Sequence, residues 1–339
     1  MASREQRRLD LDRDRTVLLF FEDLERDTLV KSDRHLRRGL RRIYHALRGG
    51  QRVSGFEVAF TLLTRALERL GYRVRVNDHR VARENPGYPV GIAGYPHILR
   101  DWSLPNPAVL GPGLLDHPRL APALMDDPRF RSYLVPCDWM KALFEEVYGA
   151  RCGIWYAGLD LEQWPDYGEE PKDLDFIVYD KIRWNRDERE ASLLRPLLAR
   201  LRDCGLKFEV LRFGRYGHEE YRARLRRARG MLFLCESETQ GMAYQEAMAC
   251  NVPVLAWVNG YWLDPQRLQF GDEPVPATSV PYFSERCGET FSGAGDFAST
   301  LDRFLIRRSS YQPRCFVSHN LSLESSGQRY LEYYRSAMR

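Results

Sequence analysis

The sequence predicts an α/β protein of two domains, and three observations carry that expectation. Met231–Cys235 and Val252–Trp257 are continuous apolar runs, as a parallel strand buried on both faces requires. Between them lie the polar stretch Glu236–Gln240, Gly241 and a helical run through Met242, Ala243, Ala247 and Met248, so strand, loop, helix and strand follow in quick succession. At 339 residues the chain is long for one core and comfortable for two.

Composition narrows the class. Hydrophobic residues are 44% and charged residues 29%, which suits a globular chain. No apolar run approaches the roughly 20 residues of a membrane span. The start, MASREQRRLDLDRDR, has no apolar segment to serve as a secretory signal, so the expected location is cytoplasmic. Seven cysteines, at 137, 152, 204, 235, 250, 287 and 315, are scattered without a CxxC pair and suggest neither a disulfide framework nor a zinc site. A net charge of +4 is too mild to call for nucleic acid. Asp173-Leu174-Asp175 spells DxD but precedes its strand, and Asp10-Leu11-Asp12 lies in the charged start; both read as surface acids.

In chain order, 1–15 reads as a surface segment and Thr16–Phe21 as the first strand. Ser32–Arg48 sets Leu36, Leu40, Ile43 and Leu47 at helical spacing among Arg34, Arg37, Arg38, Arg41, Arg42 and Arg48. Such a basic amphipathic helix either meets an anionic membrane or acceptor, or packs with its arginines solvated. A glycine loop, 49–55, then opens a helix over Phe56–Leu70 and a strand over Tyr72–Val76. Val90–Gly94 and Ala108–Leu110 are short buried strands, followed by loops carrying His97, Gly113 and His117. A strand from Tyr133, a helix to Tyr148 and a closing strand and turn over Ile154–Asp160 complete this half, and 161–172 reads as a linker.

The second half starts with the strand Phe176–Tyr179, then Lys181 and Arg186. A helix over Leu193–Leu201, a strand over Lys207–Arg212, Gly214 and a basic helix over Tyr216–Arg229 lead to the stretch described first. Beyond Trp257 come a turn at Asn259–Tyr261, a Pro-rich crossing at Pro274–Phe283 and a helix over Asp296–Leu305. A last helix, Leu321–Met338, carries Leu323, Tyr330, Leu331 and Tyr334 at helical spacing.

The strand–loop–helix geometry turns the first N–H groups of the helix after Gly241 toward the carboxyl end of the sheet, where open α/β folds bind ligands and helix N-termini hold anions. Glu238 lies in the loop and Glu246 a turn or so into the helix, so both carboxylates can reach one crevice. A carboxylate accepts paired hydrogen bonds from the vicinal hydroxyls of a sugar or ribose.

Glu238-x7-Glu246, with Gly241 between and EAMACNVPVLA following, resembles the signature of retaining glycosyltransferases of the GT-B fold, family 4. The resemblance implies two Rossmann-like domains facing across a cleft. They are an acceptor-side domain over 1–163 and a nucleotide-sugar-binding domain over 172–310, with a tail helix in 311–339 packing back on the first. It implies transfer of a sugar from a nucleotide-diphospho sugar to a glycan or lipid-linked glycan, with retention of configuration and no obligatory metal or other cofactor.

Residue by residue, the resemblance puts Glu238 and the backbone of Thr239, Gln240, Gly241, Met242 and Ala243 on donor sugar and phosphate. It puts Glu246 on ribose, Gly214 in the base-binding loop and Gly50 in a loop approaching the donor phosphates. Lys181 and Arg186 keep the five-residue spacing of the family's Arg and Lys with the two types exchanged. Two such cations stabilise a departing diphosphate, though Lys lacks the bidentate fork of Arg. The implied catalytic set is Glu238, Lys181 and Arg186, acting in front-face attack with the leaving diphosphate taking the acceptor's proton.

Two departures stand out. A stretch is inserted between the first strand and the glycine loop, and Gly111-Pro112-Gly113 occupies the place of the family's usual His, with His97 and His117 nearby. A GT-B epimerase and a non-catalytic nucleotide-sugar-binding scaffold are the rival readings.

Overall fold

Buried apolar runs alternating with amphipathic helices fold the chain into two parallel sheets flanked by helices. The computed structural model describes residues 9–22, 55–100 and 102–338. The expected basic helix over 32–48 and Gly50 lie outside the described residues. The chain divides into two compact units: one takes the described residues up to Gly158 and those from Leu323 onward, the other Leu159–Ser322. Among the described residues no helix is long and apolar enough to cross a membrane.

The first unit holds β1 (Thr16–Glu22), β2 (Arg73–Val76), β3 (Val90–Gly94), β4 (Ala108–Gly113), β5 (Phe130–Val135) and β6 (Cys152–Ile154), in the order β2-β1-β3-β4-β5-β6. The second holds β7 (Phe176–Lys181), β8 (Phe208–Arg212), β9 (Met231–Cys235), β10 (Val254–Trp257) and β11 (Gly288–Phe291), in the order β11-β10-β9-β7-β8. All pairings are parallel. Both units therefore reverse strand order beside their first strand, between β1 and β3 and between β7 and β9. Ligands of open α/β sheets bind outside the carboxyl ends of strands at such a point.

Several elements differ from the sequence expectation. The closing strand, expected from Ile154, is Cys152–Ile154; beyond it Trp155 N–H donates to Val135 O at 2.9 Å and Leu159 N–H to Leu321 O at 2.8 Å. The tail is two helices, Pro313–Asn320 and Leu323–Ser336, broken where the Leu321 carbonyl is taken by Leu159. Within the expected surface segment, Leu11–Asp14 forms one helical turn, because Asp10 caps Arg13 N–H at 2.8 Å and Leu11 is buried. The short strand β11, polar at its centre, escaped the periodicity reading.

The helix Leu323–Ser336 packs in the first unit, with Leu323, Tyr330, Leu331 and Tyr334 inward. Gly91 in β3 makes room for it, since a Cβ there would lie 2.0 Å from Tyr330 Oη. Tyr334 Oη accepts from Leu18 N–H at 2.9 Å and donates to Pro89 O at 2.5 Å, so one phenol joins β1 to the entry of β3. Tyr334→Phe removes both partners from a fully buried donor and acceptor. It should cost the first unit about 2–4 kcal/mol in denaturant unfolding. A loss below about 0.5 kcal/mol would mean that these bonds do not support the fold.

Candidate functional site

Lys181, the last residue of β7, is the register partner of Cys235, the last residue of β9. The chain leaving β9 carries Glu238 back to it, and Lys181 Nζ donates to Glu238 Oε1. Both side chains are largely buried, at 15% and 13% exposed. Burial presses the Lys181 ammonium downward, but the Glu238 carboxylate and Cys235 together outweigh it and the net shift is upward. The ammonium also lies 4.6 Å over the ring of Phe213, which follows β8 and is half exposed.

Arg186 opens the short helix Arg186–Arg189 and turns back onto β7, where its Nη1 donates to Asp180 Oδ1 at 2.6 Å. Asp180 is buried at 2% exposed, and its hydrogen bond holds the Arg186 guanidinium above its ordinary range. Glu190 lies 3.6 Å from Arg186 Nε. Both expected diphosphate cations are thus held in place by carboxylates.

Gly241 sits at φ +76, and a Cβ there would lie 2.1 Å from Tyr244 Cε1, so glycine is required. It precedes the helix Met242–Ala249, whose first N–H groups start at this turn. Gln245 Nε2 donates to Gln240 O at 2.6 Å and fixes the preceding loop, while Thr239 is exposed. Glu238 N–H donates to Thr278 O at 3.0 Å.

Glu246, inside the same helix, accepts no side-chain hydrogen bond among the described residues. Its surface is half-buried, and burial pushes its carboxyl up to about 8, with Arg222 alone pulling it back. Tyr179 and Tyr216 join hydroxyls at 2.6 Å, and the charges of Glu238 and Glu246 reach both phenols, so the two glutamates flank one region. Gly214, exposed at φ +77, lies in the turn between β8 and Tyr216.

The remaining expected residues lie in the first unit. His97 Nε2 is 3.5 Å from Glu22 Oε2, at the ends of β3 and β1. Gly113 ends β4 at φ +93. His117 is buried, and its Nδ1 accepts from Arg119 N–H at 3.1 Å, capping a short helical turn. Among the described residues no three His, Cys, Asp or Glu side chains are grouped so as to hold a metal ion.

Sequence reasoning missed four participants: Asp180, Glu236, Phe213 and the Tyr179–Tyr216 pair. Asp180 is the last but one residue of an apolar strand, a position where a charge needs a partner, and that was the available signal. Glu236 is 1% exposed, and its Oε1 accepts from the backbone N–H groups of Arg183 at 2.8 Å and Trp184 at 2.9 Å.

Two outcomes follow from this geometry. Arg186→Gln leaves Asp180 buried without its counter-charge and should destabilise the second unit by about 3–5 kcal/mol in denaturant unfolding; a loss under 1 kcal/mol would contradict the pairing. Glu246, with a folded value near 8 against an ordinary 4.5, keeps its proton longer when folded, so its stabilising contribution is full below pH 4.5 and is lost as pH rises through about 8. Glu246→Gln removes that dependence. The melting temperature of the variant should gain on the unsubstituted protein by about 2–5 °C between pH 5 and pH 8. A gap that stays constant with pH would rule out the raised value.

No protein-family model matches the chain, and no curated protein matches it in sequence. Solved structures do. AviGT4, a glycosyltransferase involved in avilamycin A biosynthesis, shares 12% identity over 95% of this chain and 97% of its own, with a TM-score of 0.54. Sucrose-phosphate synthase from Thermosynechococcus elongatus shares 13% identity over 95% and 98%, at 0.57. The catalytic domain of starch synthase IV from Arabidopsis thaliana, solved with ADP and acarbose, shares 8% over 95% and 99%, at 0.59. Together with the two Rossmann-like parallel sheets, this likeness shows that the chain has the GT-B fold.

Proposed function

We propose that this protein is a glycosyltransferase that moves a sugar from a nucleotide-diphospho sugar to a glycan or lipid-linked glycan, retaining anomeric configuration and needing no metal. The observation that carries the reading is the meeting of Lys181, Glu238 and the Gly241 turn at the point of strand reversal beside β7. ADP in the starch synthase structure supports a nucleotide at the corresponding fold.

In this reading the second unit holds the donor and the first serves the acceptor. Lys181, Arg186 and the N–H groups after Gly241 receive the diphosphate, while Glu238 orients the sugar and Glu246 accepts from the ribose hydroxyls. The bond from the anomeric carbon to the diphosphate oxygen breaks on the face where the acceptor oxygen bonds. The acceptor's proton passes to the departing diphosphate, whose charge the two cations stabilise. Lys181 then has two roles: it keeps Glu238 in place before the donor arrives and meets the phosphate afterwards.

Thermal-shift measurements against a panel of UDP-, ADP- and GDP-sugars test the reading. One donor should raise the melting temperature by several degrees, and Glu246→Ala should abolish the rise. With that donor and a screen of glycan and lipid-linked acceptors, Glu238→Gln should lower kcat by about 10²–10³-fold while the protein stays folded. If no nucleotide sugar shifts the unsubstituted protein, the donor site is wrongly assigned.

A further inference from the structure

The turn leaving β7 carries three cations, and two are engaged internally, Lys181 by Glu238 and Arg186 by Asp180. The third, Arg183, is exposed and has no carboxylate partner among the described residues; its guanidinium lies 5.3 Å from the centre of the Trp184 ring. Its charge bears on both Lys181 and Cys235, which places it beside the junction of β7 and β9.

What fixes this turn is a second glutamate. Glu236 Oε1 takes the backbone N–H groups of Arg183 and Trp184, and its backbone carbonyl takes Asn259 Nδ2. Glu236 thereby ties the turn after β7 to the ends of β9 and β10. Its Oε2 is buried with no hydrogen-bond partner among the described residues. An orphaned carboxylate oxygen carries its full desolvation penalty, which an ordinary surface turn does not require.

Resting on the donor-site reading above, we infer that Arg183 is a further residue of this turn that contacts the diphosphate, beside Lys181 and Arg186, and that Glu236 is its positioning residue. A guanidinium already stacked on an indole and anchored through its own backbone loses less freedom when it binds an anion. Lys181 and Arg186 must share their charge with internal carboxylates, whereas Arg183 offers its whole fork to phosphate oxygens.

The test is calorimetric titration of the full chain with inorganic pyrophosphate, UDP, ADP and GDP at low and moderate salt. Arg183→Gln should weaken pyrophosphate and the preferred nucleoside diphosphate about 10-fold or more, with the melting temperature unchanged, and Arg183→Lys should restore part of the loss. Glu236→Leu should weaken binding to a similar degree and speed amide exchange at 183 and 184. Glu236→Gln, which keeps an accepting oxygen, should rescue both. In the Arg183→Gln background, Glu236→Leu should add little further loss, as expected of residues acting through one contact.

Binding by Arg183→Gln within twofold of the unsubstituted protein overturns the inference while the donor-site reading stands. Failure of the unsubstituted protein to bind any of these probes overturns the donor-site reading and this inference with it. Should Glu236→Leu not fold, Glu236→Asp, whose shorter side chain draws the accepting oxygen away from the two N–H groups, decides the positioning role: the role stands if exchange at 183 and 184 rises and diphosphate affinity falls, and is refuted if affinity does not change.

Discussion

An ammonium held on a carboxylate at the ends of two adjacent parallel strands is the contact on which the second unit's site depends. Lys181 and Glu238 are both mostly out of water, and either would be costly there without the other. Their pairing brings the loop after β9 across the end of β7. With the loop placed there, Gly241 takes its left-handed turn and the helix from Met242 begins with its N–H groups at the sheet's carboxyl edge. Phe213, beneath the same ammonium, brings the exit of β8 to this point. One ion pair therefore gathers the exits of three strands, and the chemistry available at that edge follows from it.

The first unit is organised by a different kind of contact, phenols reaching across a sheet. Five of its six strands are buried along most of their length, so only specific hydrogen bonds and close approaches distinguish one docking of the final helix from another. Tyr334 bridges Leu18 and Pro89, and Tyr333 Oη accepts from Ile154 N–H at 3.1 Å. Trp155 Nε1 donates to Ser326 O at 3.1 Å. Residues from the end of the chain thus complete a sheet begun near its start, and a truncation there would expose strand faces that a parallel sheet cannot leave to water.

Much of this was legible in the sequence, because continuous apolar strands and a glycine before a helix leave local signals. Met231–Cys235, Gly241 and the helix after it required no tertiary information. Pairings between distant residues left weaker traces. The sequence put Lys181 and Arg186 on one turn as two cations of the same kind, but which carboxylate each meets depends on register and rotamer. Lys181 lies opposite Cys235 and so reaches Glu238, whereas Arg186 folds back one short turn to Asp180. Glu236 was hidden for a related reason: three polar side chains in a row, Glu236–Ser237–Glu238, look alike until the backbone sets Glu236 deepest and turns it to the N–H groups of Arg183 and Trp184. The bond from Leu159 N–H to Leu321 O was illegible because its two ends lie far apart along the chain.

The carboxylates of the second unit also differ in what they can still accept. Asp180 is occupied by Arg186, Glu238 by Lys181, and Glu236 by two backbone donors on one oxygen. Glu246 has no such bond, which is why burial acts on it almost unopposed and its proton is held to about 8. Near neutral pH it therefore meets a ligand mainly as a neutral acid, able to donate one hydrogen bond as well as accept. Two vicinal hydroxyls, each donating, favour the ionised form instead. Their arrival would draw the proton off Glu246, and by linkage the affinity for such a ligand would rise with pH up to the bound-state value. A carboxylate left unpaired among paired neighbours is thus the group whose ionisation a ribose would change most.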